Sequence, residues 1–249
     1  IQSNIVGTST LLEAALRFWS SLSADGQRNF RFVQVSTDEV YGTLDLDSER
    51  KFAIGDPYRP NSPYAASKAS ADHLVRAWHE TYGLPVVVSN CSNNFGPWQF
   101  CEKMIPTMIL AGLNGEAMPV YGNGANVRDW LYVEDHVDAL LTVARHGRPG
   151  EQYLVGGANE LSNLDLVKKI CAALDAEYPH SPFHPHEQLI RFVPDRPGHD
   201  LRYAVDSTKI QTELGWRPAW SLEDGLHHTT AWYAANRERC AGRGARLGV

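Results

Sequence analysis

The chain has 249 residues, of which 43% are hydrophobic and 21% are charged, with a formal net charge of −6 at pH 7. This length and composition suit a globular protein with one large or two smaller hydrophobic cores. A negative net charge without a basic stripe argues against nucleic-acid binding, whose affinity comes mainly from neutralised phosphates. No apolar run approaches the length that spans a bilayer, and the first residues lack a secretory signal, so we predict a cytoplasmic protein with no membrane partner.

Cysteine and histidine usage gives no sign of a metal site or a disulfide framework. The histidines at 184, 186, 227 and 228 lack a cysteine or carboxylate at ligand spacing, which favours solvated loop and helix faces and predicts no metal. No C-x-x-C spacing occurs, so reduced thiols are predicted for all four cysteines, Cys91, Cys101, Cys171 and Cys240.

Helices and apolar strands alternate through the first ninety residues. Asn4 is a candidate N-cap for the first helix, and Gly26 lies beyond its expected end. The alternation with all-apolar strands predicts an α/β fold with a doubly wound parallel sheet. The predicted elements are helices over 5–21 and 63–82, strands over 30–35 and 86–88, and a polar loop over 43–60.

The second half of the chain is less regular, which predicts a smaller α/β lobe. Ser162 with Asp165, and Ser221 with Asp224, have the spacing of capping boxes that open helices. A helix is also expected over 104–114, a strand and helix over 127–145, and a helix end at Gly215. The predicted organisation is a Rossmann-like domain over 1–95 with 127–147, a second lobe over 96–126 and 148–236, and a frayed tail over 237–249.

Tyr64 and Lys68 lie four residues apart at the start of a predicted helix, and therefore on one helix face. An ammonium near a phenol favours the phenolate, so this pair can serve as a proton shuttle for an alcohol. The strand over 30–35 runs directly into a Ser-Thr-Asp-Glu segment at 36–39. Ligands of open α/β sheets bind at the carboxyl ends of strands, so we expect these groups and Tyr64 to converge on one cleft.

These segments resemble a known family. Ser-Thr-Asp-Glu-Val-Tyr-Gly at 36–42, Ser-Pro-Tyr-Ala-Ala-Ser-Lys at 62–68, and the segments at 90–97, 128–135 and 195–200 are similar to those of the extended short-chain dehydrogenase/reductases. Within that family they resemble most closely the dTDP-glucose 4,6-dehydratases. The resemblance extends to about residue 236.

The resemblance implies an NAD-dependent lyase that oxidises C4 of a nucleotide sugar, eliminates water across C5 and C6, and returns the hydride to C6. It implies Tyr64 as the group that accepts the O4 proton, Glu39 as the C5 base and Asp38 as the acid for the C6 hydroxyl. Two carboxylates can divide these tasks only if their environments separate their pKa values, and both reach one substrate only if the backbone turns at the strand end. The family also implies a homodimer through the helices at 5–21 and 63–82, with Trp19 and Trp78 near the interface.

Further site residues follow from the resemblance alone, and Trp98 and Cys101 depart from the residues usual in the family. The implied catalytic residues are Thr37, Asp38, Glu39, Tyr64 and Lys68. The implied cofactor-binding residues are Ser3, Ser36, Tyr64, Lys68 and Asn94. The implied substrate-binding residues are Asn93, Lys103, Met104, Pro119, Tyr121, Arg128, Asn163, Asp195, Arg196, Pro197, Gly198 and His199.

The sequence lacks a Gly-rich turn between a strand and a helix of the dinucleotide-binding kind. In the family that turn lies upstream of the residue matching Ile1, so the resemblance implies a member without its first βαβ units. Alternatives therefore remain open: a UDP-glucose 4,6-dehydratase, a nucleotide-sugar epimerase or decarboxylase, or an inactive fragment that binds sugar nucleotides or dimerises. The Asp38–Glu39 pair argues against epimerisation and decarboxylation, whereas nothing distinguishes thymine from uracil.

Overall fold

The computed structural model describes residues 1–195 and 198–240, in which helices alternate with short strands. The helices are α1 (Gly7–Ser21), α2 (Ala24–Asn29), α3 (Pro63–Tyr82), α4 (Met104–Asn114), α5 (Val133–His146), α6 (Asn163–Glu177), α7 (Thr208–Leu214) and α8 (Leu222–Ala235). The strands are β1 (Phe32–Thr37), β2 (Val86–Cys91), β3 (Asn93–Phe95), β4 (Met118–Tyr121), β5 (Val127–Tyr132), β6 (Gln152–Val155), β7 (Glu160–Ser162) and β8 (Ile190–Val193). A π-helical turn spans Gln2–Val6, and 3-10 turns span Asp38–Tyr41, His186–Leu189 and Arg237–Cys240.

The first of two units contains 1–92, 136–156 and 202–217, and it is built on a parallel sheet in the order β1-β2-β6. Every residue of β2 is buried, as its run of valines predicts for a central parallel strand. Leu12 of α1 and Val75 of α3 pack with Val86 and Val88 of β2. The parallel sheet and the α3 bounds are therefore as predicted.

The second unit contains the described residues within 93–135, 157–201 and 218–240. Its strands form two small sheets, β3-β5-β7 and β4-β8. Helices α4, α6 and α8 bury Ile109, Ile170 and Leu226 in one core. The predicted capping boxes are confirmed, because the hydroxyls of Ser162 and Ser221 accept hydrogen bonds from the amides three residues later.

The N-terminal prediction requires correction. The chain begins with the π-helical turn instead of a capped α-helix, and the Asn4 amide donates to Ser67 Oγ at 2.9 Å instead of capping α1. Gly26 lies inside α2, whose N-cap is Ser23. Strand β1 begins two residues later and ends two residues later than predicted, because its pairing with β2 continues to Thr37. Phe30 lies before the strand, and its ring packs against the hydrophobic cluster that contains Val86 and Val88 of β2.

Four segments lie in a different unit from the one that the sequence predicted. Residues 93–95 belong to the second unit, because β3 pairs with β5. Residues 148–156 join the first unit because β6 pairs with β2. Residues 202–217 also join it, since Arg202 bridges to Leu44 and Val205 to Phe52. Residues 127–135 belong to the second unit, because β5 pairs with β3 and β7. Periodicity identifies a strand but not its partner.

Cys101 and Cys240 form a disulfide, with a Cα–Cα distance of 5.9 Å, so the prediction of four reduced thiols is wrong for this pair. Cys91 and Cys171 are free and buried. The C-terminal 3-10 turn is also held by Arg239, whose guanidinium lies 3.8 Å from the ring centroid of Trp98. Residues 237–240 are thus not frayed, and the rest of the predicted tail lies outside the described residues.

We predict that reducing this disulfide lowers the free energy of unfolding by about 2–5 kcal/mol, because the bridge closes a loop with a sequence separation of 139. Denaturant unfolding with and without a dithiol reductant measures the change. Alkylation of the unfolded, unreduced chain should label two cysteines, rising to four after reduction. Cys171→Ser is the control, because it removes a cysteine outside the bridge. Four labelled cysteines without reductant would contradict the assignment.

Candidate active site

Helix α3 begins at the residues that position Tyr64 and Lys68. Ser62 is the N-cap, and its hydroxyl accepts a hydrogen bond from the Ala65 amide at 3.0 Å. Pro63 at the first helical position has the φ that a helix start requires. Tyr64 is 51% exposed, and Lys68 Nζ donates to the Val35 carbonyl of β1 at 2.6 Å. The shared helix face thus holds Lys68 against the end of β1.

The chain turns where β1 ends, as the assignment of two neighbouring carboxylates to one substrate requires. The Thr37 hydroxyl accepts from the Glu39 amide and donates to Asp38 Oδ1, both at 3.3 Å. The following 3-10 turn breaks the alternation that would direct neighbouring side chains to opposite faces. Asp38 is 2% exposed and Glu39 is half-buried. Thr37 therefore has a capping role in addition to any chemical one.

The electrostatics of Tyr64 differ from the sequence expectation. Partial burial, and to a smaller extent the nearby acidic groups Glu39, Cys91 and Asp38, together raise the pKa of Tyr64 to about 12. The prediction that Lys68 lowers this pKa is therefore wrong for the free chain, in which the ammonium is bound to a backbone carbonyl. The contributions of Glu39 and Asp38 to this pKa are consistent with both carboxylates lying near the phenol.

Two predicted cofactor contacts in the first unit differ in exposure. Ser3 lies in the first turn and is exposed. Ser36 is 3% exposed, and its hydroxyl donates to Asp72 Oδ2 at 2.6 Å. That hydroxyl is used inside the protein, so the structure does not support a direct cofactor contact by its side chain. Tyr64 and Lys68, by contrast, lie on α3, and Lys68 contacts β1 near its carboxyl end, where ligands of open α/β sheets bind and where N–H and O–H donors suit a ribose.

Sequence reasoning missed a buried polar cluster beneath this site. Asp72 is 4% exposed, and burial raises its pKa while hydrogen bonds from Ser36, Tyr58 and Asn90 oppose that shift. Burial also raises the pKa of Tyr58. The available signal was spacing, because Asp72 follows Lys68 by four residues and so continues the face that carries Tyr64.

In the second unit, the predicted substrate-binding residues near β3 and α4 lie at element starts. Asn93 and Asn94 open β3 and pair with Trp130 and Leu131 of β5. Lys103 is exposed at the N-cap position of α4, and Met104 is its first helical residue. The start of β3 and the start of α4 therefore determine where these four side chains lie.

Arg128 holds the segment that precedes residue 202. The side chain is 6% exposed, and its guanidinium donates to the backbone carbonyls of Asp200 at 2.8 Å and Leu201 at 3.3 Å. His199 Nδ1 lies 2.8 Å from Asp195 Oδ1, and Gly198 has a positive φ of 68°. The predicted residues Arg196 and Pro197 lie outside the described residues. The structure thus brings Arg128 and this segment together.

The remaining predicted residues adjoin the same segment. The parallel strands β4 and β8 end together, with Tyr121 opposite Val193, and Pro119 is buried in β4. Asn163 opens α6, and its amide donates to the Asn126 carbonyl at 2.9 Å. Asn126 in turn donates to the Asp200 carbonyl at 3.1 Å, which links Asn163 to the segment that Arg128 holds.

The histidines considered for metal have other partners. His186 Nδ1 lies 2.5 Å from Asp175 Oδ1, and His228 Nδ1 lies 2.5 Å from the Tyr132 hydroxyl. Within 1–195 and 198–240, no group of three potential metal ligands occurs. In the same residues, no helix has the length and apolar character needed to cross a membrane. The absence of a metal stays a prediction.

Comparison with known proteins identifies the class. A sequence model of the GDP-mannose 4,6 dehydratase family matches residues 1–229. A dTDP-glucose 4,6-dehydratase from Xanthomonas campestris pv. campestris is 54% identical over 237 residues, which are 95% of this chain and 67% of the relative. One from Escherichia coli is 53% identical over 243 residues, with the same shares. The chain thus spans about two-thirds of the length of these relatives.

Solved structures of dTDP-glucose 4,6-dehydratases are also similar to this chain. The dTDP-glucose 4,6-dehydratase of Bacillus anthracis in complex with NAD has a TM-score of 0.83 and 42% identity, covering 95% of this chain and 69% of that one. The Streptomyces venezuelae enzyme with NAD bound has a TM-score of 0.82 and 43% identity, covering 96% and 67%. A Bacillus cereus UDP-glucuronic acid 4-epimerase has a TM-score of 0.80 but only 25% identity, with 95% and 68% covered.

The fold and these comparisons define a Rossmann-like enzyme of the nucleotide-sugar dehydratase class. The chain belongs to the dTDP-glucose 4,6-dehydratase family, whose members are hydro-lyases.

The raised pKa of Tyr64 predicts a loss of stability at alkaline pH. A phenol with a higher pKa in the folded chain contributes stability that is present below about pH 10 and is lost as the pH rises toward 12. We expect the urea midpoint to fall across this range and Tyr64→Phe to reduce the fall. Tyr82→Phe, at an exposed position on the same helix, is the matched control and should behave as the parent. An identical fall for Tyr64→Phe and the parent would contradict the raised pKa of Tyr64 in the folded chain.

Proposed function

We propose that this chain converts dTDP-glucose to dTDP-4-keto-6-deoxyglucose, with the reacting groups supplied by Tyr64, Asp38 and Glu39. The observation that carries the proposal is the turn at the end of β1, where the Thr37 hydroxyl contacts Asp38 Oδ1 and the Glu39 amide in the unit that also presents the half-exposed Tyr64. A phenol alone suits alcohol oxidation or epimerisation, whereas elimination of water also needs a base at C5 and an acid at C6. Identity above 50% to dTDP-glucose 4,6-dehydratases supports this reading over the more distant epimerases.

Tyr64 is the proposed acceptor of the O4 proton. In the free chain its raised pKa keeps it as a phenol at neutral pH, so the phenolic proton must first pass to solvent before the oxygen can accept the O4 proton. Lys68 and Thr37 orient the group and the O4 region. Ser3, Tyr64, Lys68 and Asn94 are the proposed residues that would hold NAD, which would supply the hydride-transfer chemistry at C4 and C6.

Glu39 is the proposed base at C5 and Asp38 the proposed acid at C6. Asp38 is buried and Glu39 is half-buried, so the two carboxyl groups have different surroundings, as a division into acid and base requires. Oxidation at C4 makes the C5 proton acidic enough for a carboxylate to remove it. The Thr37 cap holds both groups at the turn.

The nucleotide and diphosphate are the proposed ligands of the second unit. Arg128 supplies a planar guanidinium, which suits a diphosphate. The other proposed contacts are Asn93, Lys103, Met104, Pro119, Tyr121, Asn163, Asp195, Arg196, Pro197, Gly198 and His199. A UDP-glucose substrate and an inactive sugar-nucleotide-binding fragment are the alternatives. Calorimetric titration of NAD, dTDP and UDP into the chain separates them.

We also propose a homodimer through α1 and α3, and a cytoplasmic location. The two helices pack on each other, and large apolar side chains of both remain exposed, including Leu11 at 62%, Phe18 at 57% and Tyr82 at 52%. A helix needs only one apolar face for its own sheet, so the second face is available for a copy of the chain.

Substitutions should separate oxidation from elimination. Glu39→Gln and Asp38→Asn should each allow NADH absorbance to appear but lose the 4-keto-6-deoxy product, because the groups for elimination are neutralised. Tyr64→Phe should block NADH formation, because the O4 proton has no acceptor. Removing one positioned acid or base costs about 10²–10⁴ in rate, which single-turnover kinetics with product analysis resolves.

The matched control for the carboxylate variants is Asp25→Asn, an exposed position in the first unit. It should turn over as the parent does. Product formation by Glu39→Gln at the parent rate would show that Glu39 is not the C5 base. A parent chain that binds dTDP but does not turn over would leave only the binding-fragment alternative.

For the dimer, sedimentation at micromolar concentration should give twice the chain mass. Leu11→Glu should shift the equilibrium to monomer, because a charge on an apolar interface is costly to desolvate. Leu141→Glu, at an exposed position of α5, is the matched control and should remain dimeric. A parent that sediments as a monomer overturns the proposal.

A further inference from the structure

The carboxylate of Asp72 is surrounded by hydrogen-bond donors from three parts of the first unit. Its Oδ2 accepts from Ser36 Oγ at 2.6 Å, from the Tyr58 hydroxyl at 3.1 Å and from Asn90 Nδ2 at 3.2 Å, while Oδ1 accepts from Gln34 Nε2 at 3.4 Å. An ionised carboxylate only accepts hydrogen bonds, and here every contact is a donor. Such a buried group links the elements around it instead of facing a ligand.

Asn90 extends this cluster to the proposed active site. Asn90 on β2 lies opposite Ser36 on β1, so its amide reaches the β1 terminus. Its Nδ2 donates both to Asp72 and to the Thr37 carbonyl, the latter at 3.1 Å. Its Oδ1 lies 2.7 Å from Gln152 Nε2 on β6. One side of Asn90 thus faces acceptors and the other a donor, which fixes the orientation of the amide.

The Thr37 carbonyl is the last strand position before the turn that carries Asp38 and Glu39. With its carbonyl held by Asn90 and its hydroxyl accepting from the Glu39 amide, Thr37 is fixed on both sides. A polar cluster that only stabilised the sheet could lie at any position along the strands. This one ends at the residue that positions both carboxylates, on the α3 face that also carries Tyr64.

We infer that Asp72 is a positioning residue: through Asn90 it fixes the Thr37 carbonyl, and thereby the turn that places Asp38 and Glu39 relative to Tyr64. The expected effect on catalysis rests on the proposed function, whereas the expected effect on the turn after Thr37 is independent of it. Asp72→Asn keeps the shape of the side chain but removes its charge and replaces one of its two acceptor oxygens by an NH2 donor. The hydrogen bond from Asn90 is then no longer charge-assisted, so Asn90 holds the Thr37 carbonyl less firmly.

Hydrogen exchange and kinetics test the inference together. In Asp72→Asn, the peptide over 37–42 should exchange at least tenfold faster, while peptides over 166–174 in the second unit keep parent rates. With NAD and dTDP-glucose, kcat should fall about 10–100-fold, because small displacements of reacting groups cost that much, while KM stays within threefold. Asn90→Ser breaks the same link without changing Asp72 and should reproduce both effects.

Tyr153→Phe is the stability control, because it removes a buried hydroxyl on β6 that contacts Glu213 and Arg148. It should leave exchange over 37–42 and kcat at parent values. Parent exchange over 37–42 in both Asp72→Asn and Asn90→Ser would overturn the inference, as would faster exchange spread evenly over the chain. If the parent chain has no turnover, the proposed function fails, and the exchange measurement still decides the role of Asp72.

Discussion

The parallel pairing of β1 with β2 is the constraint on which the first unit depends. It sets Ser36 beside Asn90 and Thr37 beside Cys91, so that polar side chains from two strands meet at one edge. Burying the Ser36 or Asn90 side chain there without a partner would cost about 1–3 kcal/mol. Asp72 of α3 supplies that partner, and the helix that supplies it also carries Tyr64 and Lys68. The pairing of β1 with β2, the packing of α3 on them and the positions of Tyr64 and Lys68 therefore depend on one another.

The sequence predicted what local chemistry decides. The bounds of α3 and α4, the serine caps and the left-handed glycine after α7 all depend on a few neighbouring residues. The position of Tyr64 relative to Lys68 also follows from helix periodicity. The turn after Thr37 was stated only as a condition of the mechanism, and the structure meets it.

The sequence could not predict what distant pairing decides. The assignment of β6 to the first unit depends on β2, about sixty residues earlier, and the disulfide joins residues separated by 139 positions. The pKa of Tyr64 is a further case, since its direction depends on which charges the fold brings near the phenol. Lys68 is one helical turn from Tyr64, but its ammonium donates to the Val35 carbonyl. Burial and the acidic groups therefore determine the direction in which the pKa of Tyr64 shifts.

The same reasoning applies to Arg128 in the second unit. Its guanidinium holds the carbonyls of Asp200 and Leu201, and a guanidinium has five N–H donors in a fixed plane. The proposed diphosphate ligand would therefore share this side chain with the segment before residue 202. Ligand and segment would then stabilise each other, because both would bond to one planar guanidinium. Lysine at this position would provide a point charge but not that shared geometry.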